Sequence, residues 1–318
     1  MPRGAGTGRA SVDVIIPTYK PDETFRDLLN ALLRQKYPIR QILIINTGEE
    51  YWDESFIENI DNAEVFHISK AEFDHAGTRN MGAGFSGADY LLFMTQDAVP
   101  AGSGMVGNLV AEFRDPSVKA AYARQLPKGD CRIAEGCVRT YNYPAESEVR
   151  SISDLPEYGV KTYFCSNTCA MYERRLFTEL GGFSAPSIFN EDMIYVGRIL
   201  TLGYSVAYCA EARVYHSHNY TNMQQFRRNF DNGVSQTMHP EIFRQIRSEG
   251  EGFRMLRYVA DSLLEMGKIH LLPGFFIQCL YRYAGFQMGR NYRKLSPSMV
   301  RRCSMNPDFW KQFRSRAE

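Results

Sequence analysis

A chain of 318 residues with 44% hydrophobic content can bury one large α/β core with an appendage, or two modest domains, and this excludes a disordered protein. The formal charge of +1 conceals an uneven distribution, because residues 1–223 carry about −7 and residues 224–318 about +8. The acidic body argues against general nucleic-acid binding, whereas the basic, aromatic tail suits an anionic membrane surface, a partner, or a plain solvated helical face.

The opening MPRGAGTGRAS lacks an apolar segment and reads as a flexible leader over residues 1–11, not as a secretory signal. VDVIIP predicts a strand closed by Pro17, and DETFRDLLNALLRQ places apolar residues at helical spacing. QILIIN repeats the strand signal and ends at Thr47 and Gly48, SFIENI continues as helix, and AEVFHI is a third strand. Strands alternating with helices imply a mostly parallel sheet covered on both faces. Residues 78–87 predict a helix that leads into YLLFMTQ, a buried strand with Asp97 at its end. Ligands of open α/β sheets gather beyond the carboxyl ends of strands, so an acidic group there is placed to meet one.

Polar, turn-rich residues 127–159 read as a long loop or a subdomain, and such a loop commonly closes over a substrate. VKTYFCSNTCAMYERRLFTELGGF then predicts a strand, a turn and a helix stopped by Gly181 and Gly182. Glu191 and Asp192 open an amphipathic helix, SVAYCAEARVYHSH follows as a strand pair, and residues 224–294 are helical and basic. No run of ~18 apolar residues spans a bilayer, LLPGFFIQCLY being the longest candidate. Seven cysteines without zinc-ribbon spacing point to a reducing compartment.

VDVIIPTYKP, MTQDAVP, GGFSAPSIFNEDMIYVGR and VYHSHNY occur in the order found in family 2 glycosyltransferases of the GT-A fold, and residues 12–230 resemble that family. FDHAGTRNMGAGFSGADYLLFMTQDA and NEDMIYVGRILTLGYSVAYCAEARVYHSHNY are similar, more narrowly, to bacterial rhamnosyltransferases of surface-polysaccharide pathways. The resemblance implies a GT-A catalytic domain at 12–223 and a helical basic region at 224–318. It also implies transfer of L-rhamnose, with inversion, from dTDP-L-rhamnose to a lipid-linked glycan at the inner face of the plasma membrane.

Such a transfer breaks a bond to a nucleoside diphosphate, whose leaving charge calls for a divalent cation or fixed positive groups. Manganese or magnesium would take oxygen ligands. Where the family usually has D-x-D, this chain has Thr95, Gln96 and Asp97, so only Asp97 carries over as metal ligand, with Gln96 beside it on the donor side. A turn or cap role before Pro100 is the competing reading of Asp97. His216 and His218 lie two apart and project to one face of a strand, where a family histidine can complete the metal shell; ordinary hydrogen bonding is the other reading.

Inversion needs a general base for the acceptor hydroxyl. Asp192 matches the family's E-D position, with Glu191 supporting it or binding acceptor hydroxyls, and both acids also favour the first turn of a helix by ~0.3–1 kcal/mol each. By resemblance Pro17, Thr18 and Tyr19 meet the base and ribose, although Tyr19 serves equally well as a packed aromatic. Asn46 stands where the family has an aspartate that reads the pyrimidine, and its amide offers a donor and an acceptor. Arg79 either meets the diphosphate or pairs with a surface acid. Asn167, expected to precede a helix, lines the acceptor side by resemblance, although capping alone would explain it.

Three other functions remain open from sequence. One is the same enzyme class with a UDP-hexose or UDP-N-acetylhexosamine donor. A sugar-phosphate nucleotidyltransferase would need a glycine-rich basic signature after the first strand, which is absent from Thr18-Tyr19-Lys20-Pro21. An inactive nucleotide-sugar-binding module is suggested by Gln96 and Asn46. The tail interleaves Arg282, Arg290, Arg293, Lys294, Arg301 and Arg302 with Tyr281, Tyr283, Phe286 and Tyr292. That pattern fits a helical surface for anionic lipid, a homodimer face, or packing onto the body.

Overall fold

The computed structural model describes residues 9–244 and 249–311, so most of the expected leader lies outside the described residues. What is described of it is held in place: the Ser11 backbone N–H and hydroxyl donate to Asp89 (2.7 and 2.8 Å), and Tyr37 donates to the Ala10 carbonyl.

The elements in chain order are β1 (Val12–Tyr19), α1 (Glu23–Leu33), β2 (Gln41–Thr47), β3 (Ala63–Ile68), α2 (His75–Phe85), β4 (Tyr90–Met94), β5 (Val99–Pro100) and α3 (Met105–Glu112). They continue with β6 (Val118–Leu126), α4 (Ile133–Asn142), β7 (Glu148–Arg150), α5 (Leu155–Tyr158), β8 (Cys169–Glu173), α6 (Arg174–Glu179), α7 (Glu191–Thr201) and β9 (Ser205–Tyr215). The sheet order is β3-β2-β1-β4-β8-β6-β9-β5, with β7 paired to β9. The first four strands run parallel, β8 is antiparallel between β4 and β6, and β6 and β9 are parallel again.

Alternation along β1 explains the two cores. Val12, Val14 and Ile16 point to one face, against Phe25, Leu28, Leu29 and Leu32 of α1. Ile15 points to the other, shared with Phe93, Tyr172, Phe177, Phe183 and Tyr195. Each such side chain contributes about 1.5–3 kcal/mol by leaving water. Asp22 starts α1 by accepting from the Thr24 N–H at 2.9 Å.

Four expectations are corrected by the structure. SFIENI forms only a 3-10 turn, Glu54–Phe56, because a segment this short between Asp53 and Asp61-Asn62 cannot offset the cost of helix nucleation. Residues 127–159 are not one loop. They hold α4, whose Cys137 and Val138 are buried, and β7, a regular pattern obscured in sequence by Gly136 and polar neighbours. The expected strand pair after α7 is one strand, β9, bent where its register against β6 shifts between Ala123 and Arg124. Asn167 precedes strand β8, not a helix.

The tail folds as α8 (Asn222–Met238), α9 (Pro240–Phe243), α10 (Glu249–Glu265), α11 (Leu272–Arg290) and α12 (Pro297–Cys303). α8 and α11 cross in backbone contact: a Cβ on Gly285 would stand 2.2 Å from the Phe226 carbonyl oxygen, and one on Gly289 2.0 Å from that of Phe230. Arg282 does not face outward with the other tail cations. It turns inward to Glu135 of α4 at 3.3 Å, because α4 packs under α10 and α11. No described helix is long and apolar enough to cross a membrane.

Candidate active site

Two charged clusters stand beyond the carboxyl ends of the strands. The first is built by the turn after β4 and the segment after β9. Ala98 N–H bonds to the Thr95 carbonyl at 3.1 Å and fixes the turn that presents Asp97, while His216 N–H bonds to the Leu126 carbonyl at 2.9 Å and extends the sheet register past β9. Asp97 Oδ2 then lies 3.4 Å from Nε2 of both His216 and His218, and Lys128 Nζ is 3.9 Å away. The ligand atoms of Asp97, His216 and His218 all lie within 4.8 Å of one another.

This donor set fits a divalent cation. Burial pushes His216 far below the ordinary histidine range, so its ring is neutral. Gln125 donates its amide N–H to Ser166 (3.0 Å), which leaves Gln125 Oε1 as acceptor for His216 Nδ1 at 2.9 Å. The proton of the neutral ring therefore sits on Nδ1. The Nε2 lone pair faces the Asp97 carboxylate, two electron-rich atoms that a cation between them would reconcile. His218 is likewise lowered by burial and is stacked on Tyr220.

The second cluster opens α7. Asn190 adopts a left-handed conformation (φ 63), tolerable for asparagine, and its side chain donates to Asn232 of α8 at 2.8 Å. The turn it makes sends Glu191 inward and leaves Asp192 partly exposed. Glu191 pairs with Arg79 at 3.2 Å, both side chains being almost fully buried, and accepts from the Asn167 amide at 3.1 Å. Burial pushes Glu191 up, but Arg79, the nearby His75 and Asn167 outweigh it and hold the carboxyl below its usual value. Asp192 accepts from the backbone N–H groups of Asn167 (2.9 Å) and Met193 (2.8 Å). Burial, and then the negative charge of Glu191, push Asp192 up to about 7. Two adjacent acids are thus driven apart, one held below its usual value and one raised to about 7, poised to exchange a proton near neutrality.

The remaining predicted residues line or support the mouth of β1 and β2. Tyr19 is exposed and meets Tyr51 edge-on at 5.7 Å, with Lys20 Nζ 4.3 Å from the Tyr51 ring. Pro17 is partly exposed, but Thr18 is buried and donates to Asn46 at 3.0 Å. Asn46 is itself fully buried, its amide N–H groups directed to the Gly48 carbonyl (3.0 Å) and His67 (3.1 Å). Its amide is consumed inside the protein, not offered to a pyrimidine, because the Gly48 turn folds back over it. Gln96 accepts from Tyr19 N–H at 2.8 Å and donates to the Tyr19 carbonyl at 3.1 Å, a two-way clamp that a carboxylate could not make. Arg79 meets neither an open cleft nor a surface acid; its partner is the buried Glu191. Asn167 is buried too, with its oxygen accepting from the Tyr172 hydroxyl at 2.9 Å, so its side chain supports the acids and does not line an open acceptor face.

Sequence reasoning missed Lys128, Gln125 and His75 as members of these clusters. For His75 the signal was present in HAGTRN, one helical turn before Arg79.

A mostly parallel β-sheet with a β4–β8 antiparallel switch thus carries a carboxylate–histidine cluster and a poised acid on the same edge. The chain matches the model of glycosyl transferase family 2 over residues 13–181 and belongs to that family, as a glycosyltransferase of the GT-A fold. It is 35% identical over 301 residues to the O-antigen chain rhamnosyltransferase RfbN of Salmonella typhimurium (strain LT2), covering 94% of this chain and 96% of the relative. It is 34% identical over 303 residues to the O-antigen chain rhamnosyltransferase WbaN of Salmonella anatum, with the same coverage. Among solved structures it is similar to the mannosyltransferase PcManGT from Pyrobaculum calidifontis in complex with GDP-Man and Mn2+. The TM-score is 0.62 at 16% identity, with 89% of this chain and 88% of that one covered, a likeness of fold.

Proposed function

We propose that this glycosyltransferase moves L-rhamnose, with inversion, from dTDP-L-rhamnose to a lipid-linked surface-polysaccharide acceptor, with residues 12–223 as catalytic domain and 224–318 as a peripheral-membrane extension. The observation that carries the reading is the asymmetry of the acidic pair: Asp192 is partly exposed with a pKa about 7, while Glu191 is buried against Arg79. A base poised near the working pH is what removal of a hydroxyl proton requires. The likeness to RfbN and WbaN, both O-antigen chain rhamnosyltransferases, supports rhamnose and an O-antigen-type acceptor.

In the proposed reaction the acceptor hydroxyl oxygen attacks the anomeric carbon and its proton passes to Asp192. The bond to the diphosphate breaks on the opposite face, and the leaving dTDP keeps the electron pair. Asn167 and Met193 hold Asp192 by their backbone N–H groups, and the Arg79–Glu191 pair fixes the corner of α7. Asp97, His216 and His218 would hold a divalent metal, which when bound would offset charge on the diphosphate. Manganese suits this mixed oxygen and imidazole set better than magnesium. Lys128 adds a fixed positive group beside Asp97. Tyr19 and Tyr51 offer aromatic faces for the nucleoside. A donor panel scored by product mass tests the reading: turnover of dTDP-L-rhamnose is expected, and turnover of UDP-glucose or UDP-N-acetylglucosamine without it would refute the donor.

A further inference from the structure

Residues 266–307 contain no aspartate or glutamate, yet carry seven basic residues. Of these, Arg282 is turned inward to Glu135, and the other six, Lys268, Arg290, Arg293, Lys294, Arg301 and Arg302, are exposed. The same stretch leaves a row of large apolar side chains in solvent. On α11, Phe276, Ile277, Leu280 and Tyr283 follow the i, i+1, i+4, i+7 spacing of one helical face, with Leu280 66% exposed. The turn from α10 into α11 adds Met266 and Ile269, the last 59% exposed. The opposite face of α11 is already used, by Phe275 against α4 and α10 and by Gly285 and Gly289 against α8. The outward stripe is therefore not left over from packing onto the body.

We infer that the α10–α11 turn and the outward face of α11 form a membrane-docking surface for an anionic phospholipid bilayer, with the apolar row entering the headgroup boundary and the cations meeting lipid phosphates. The inference rests on the peripheral placement proposed above and not on the identity of the donor. Charge selects lipid over a second copy of this chain: an isologous dimer through this face would bring two acid-free cationic stretches together. An apolar row with flanking cations binds a bilayer by partition and by attraction to anionic headgroups together.

Vesicle flotation of the full chain, without donor, tests this. The protein is expected to float with vesicles of phosphatidylcholine and phosphatidylglycerol, to bind pure phosphatidylcholine roughly tenfold less, and to release as salt rises. Ile277→Glu with Leu280→Glu is expected to weaken binding at least about tenfold while the melting temperature and donor turnover on a soluble acceptor stay as in wild type. Lys268→Glu with Lys294→Glu, a second variant at two exposed positions, should flatten the salt dependence. Three outcomes would overturn the assignment: no flotation of the wild type, unchanged flotation of the apolar double variant, or a wild-type dimer that this variant splits. Loss of rhamnose transfer with flotation intact would count against the donor reading alone.

Discussion

Replacing Glu191 with Gln should move the pH dependence of catalysis to lower pH. The negative charge of Glu191 raises Asp192, and one Asn167 contacts both, through its side-chain amide to Glu191 and its backbone N–H to Asp192. Between the charges of two neighbouring side chains at an effective dielectric of about 20 the interaction is on the order of 2 kcal/mol, which corresponds to about one to two pKa units. Arg79, which already lowers Asp192, is left without its counter-charge and acts in the same direction. The acid limb of kcat/KM, set in the wild type by Asp192 at about 7, should therefore fall by about one to two units. Arg79→Met removes the opposite charge and should raise the limb. It should also destabilise the protein by about 3–5 kcal/mol, because Glu191 is left buried and unpaired. The assay is a pH series of initial rates at saturating metal, with a thermal melt to confirm folding. A limb that stays in place in Glu191→Gln, or moves upward, would refute the coupling of the two acids.

Chelation should abolish turnover and added manganese restore it, and Asp97→Asn should lose metal binding measured by calorimetry. Gln125→Leu removes the partner that fixes the proton on His216 Nδ1 and should weaken metal binding about 10–100-fold with the fold intact; unchanged affinity would show that the tautomer is unimportant. Asp231, buried on α8 and accepting from the Met305 and Asn306 N–H groups, is raised by burial to about 7 from an ordinary carboxyl value near 3.8. Its folded form prefers the proton, so this group favours folding least above pH 7 and its penalty fades as pH falls from about 7 toward 4. Asp231→Asn should raise stability by about 1–3 kcal/mol at pH 8 and change it little near pH 4, read by denaturant midpoints, and equal effects at both pH values would contradict the shift. Gly289→Val should lower stability by about 2 kcal/mol or more, because the new side chain meets the Phe230 carbonyl.

Much of the fold was legible because its signals are local. The β-branched runs of β1 and β2 and the helical spacing of α1 lie within single windows of sequence, and the N-E-D corner announces a helix start. Of the site, Asp97, His216 and His218 were named from sequence and the fold brings them together. What sequence could not give is the use to which polar atoms are put across long separations. Gln125 stands 91 residues from His216, and Lys128 reaches Asp97 from a segment that reads as a loop. Asn46 and Asn167 carry the right chemistry for a ligand, yet their amides are committed inside the protein. Arg79 illustrates the same limit, since only the packing of α2 against α7 shows that its partner is Glu191.

The most direct test of inverting rhamnosyl transfer with Asp192 as base is the anomeric configuration of the product formed from dTDP-L-rhamnose, followed by NMR in the wild type and in Asp192→Asn. The account predicts a linkage of configuration opposite to that of the donor, and no product from the folded variant. Retained configuration, or product from Asp192→Asn at the wild-type rate, would contradict it.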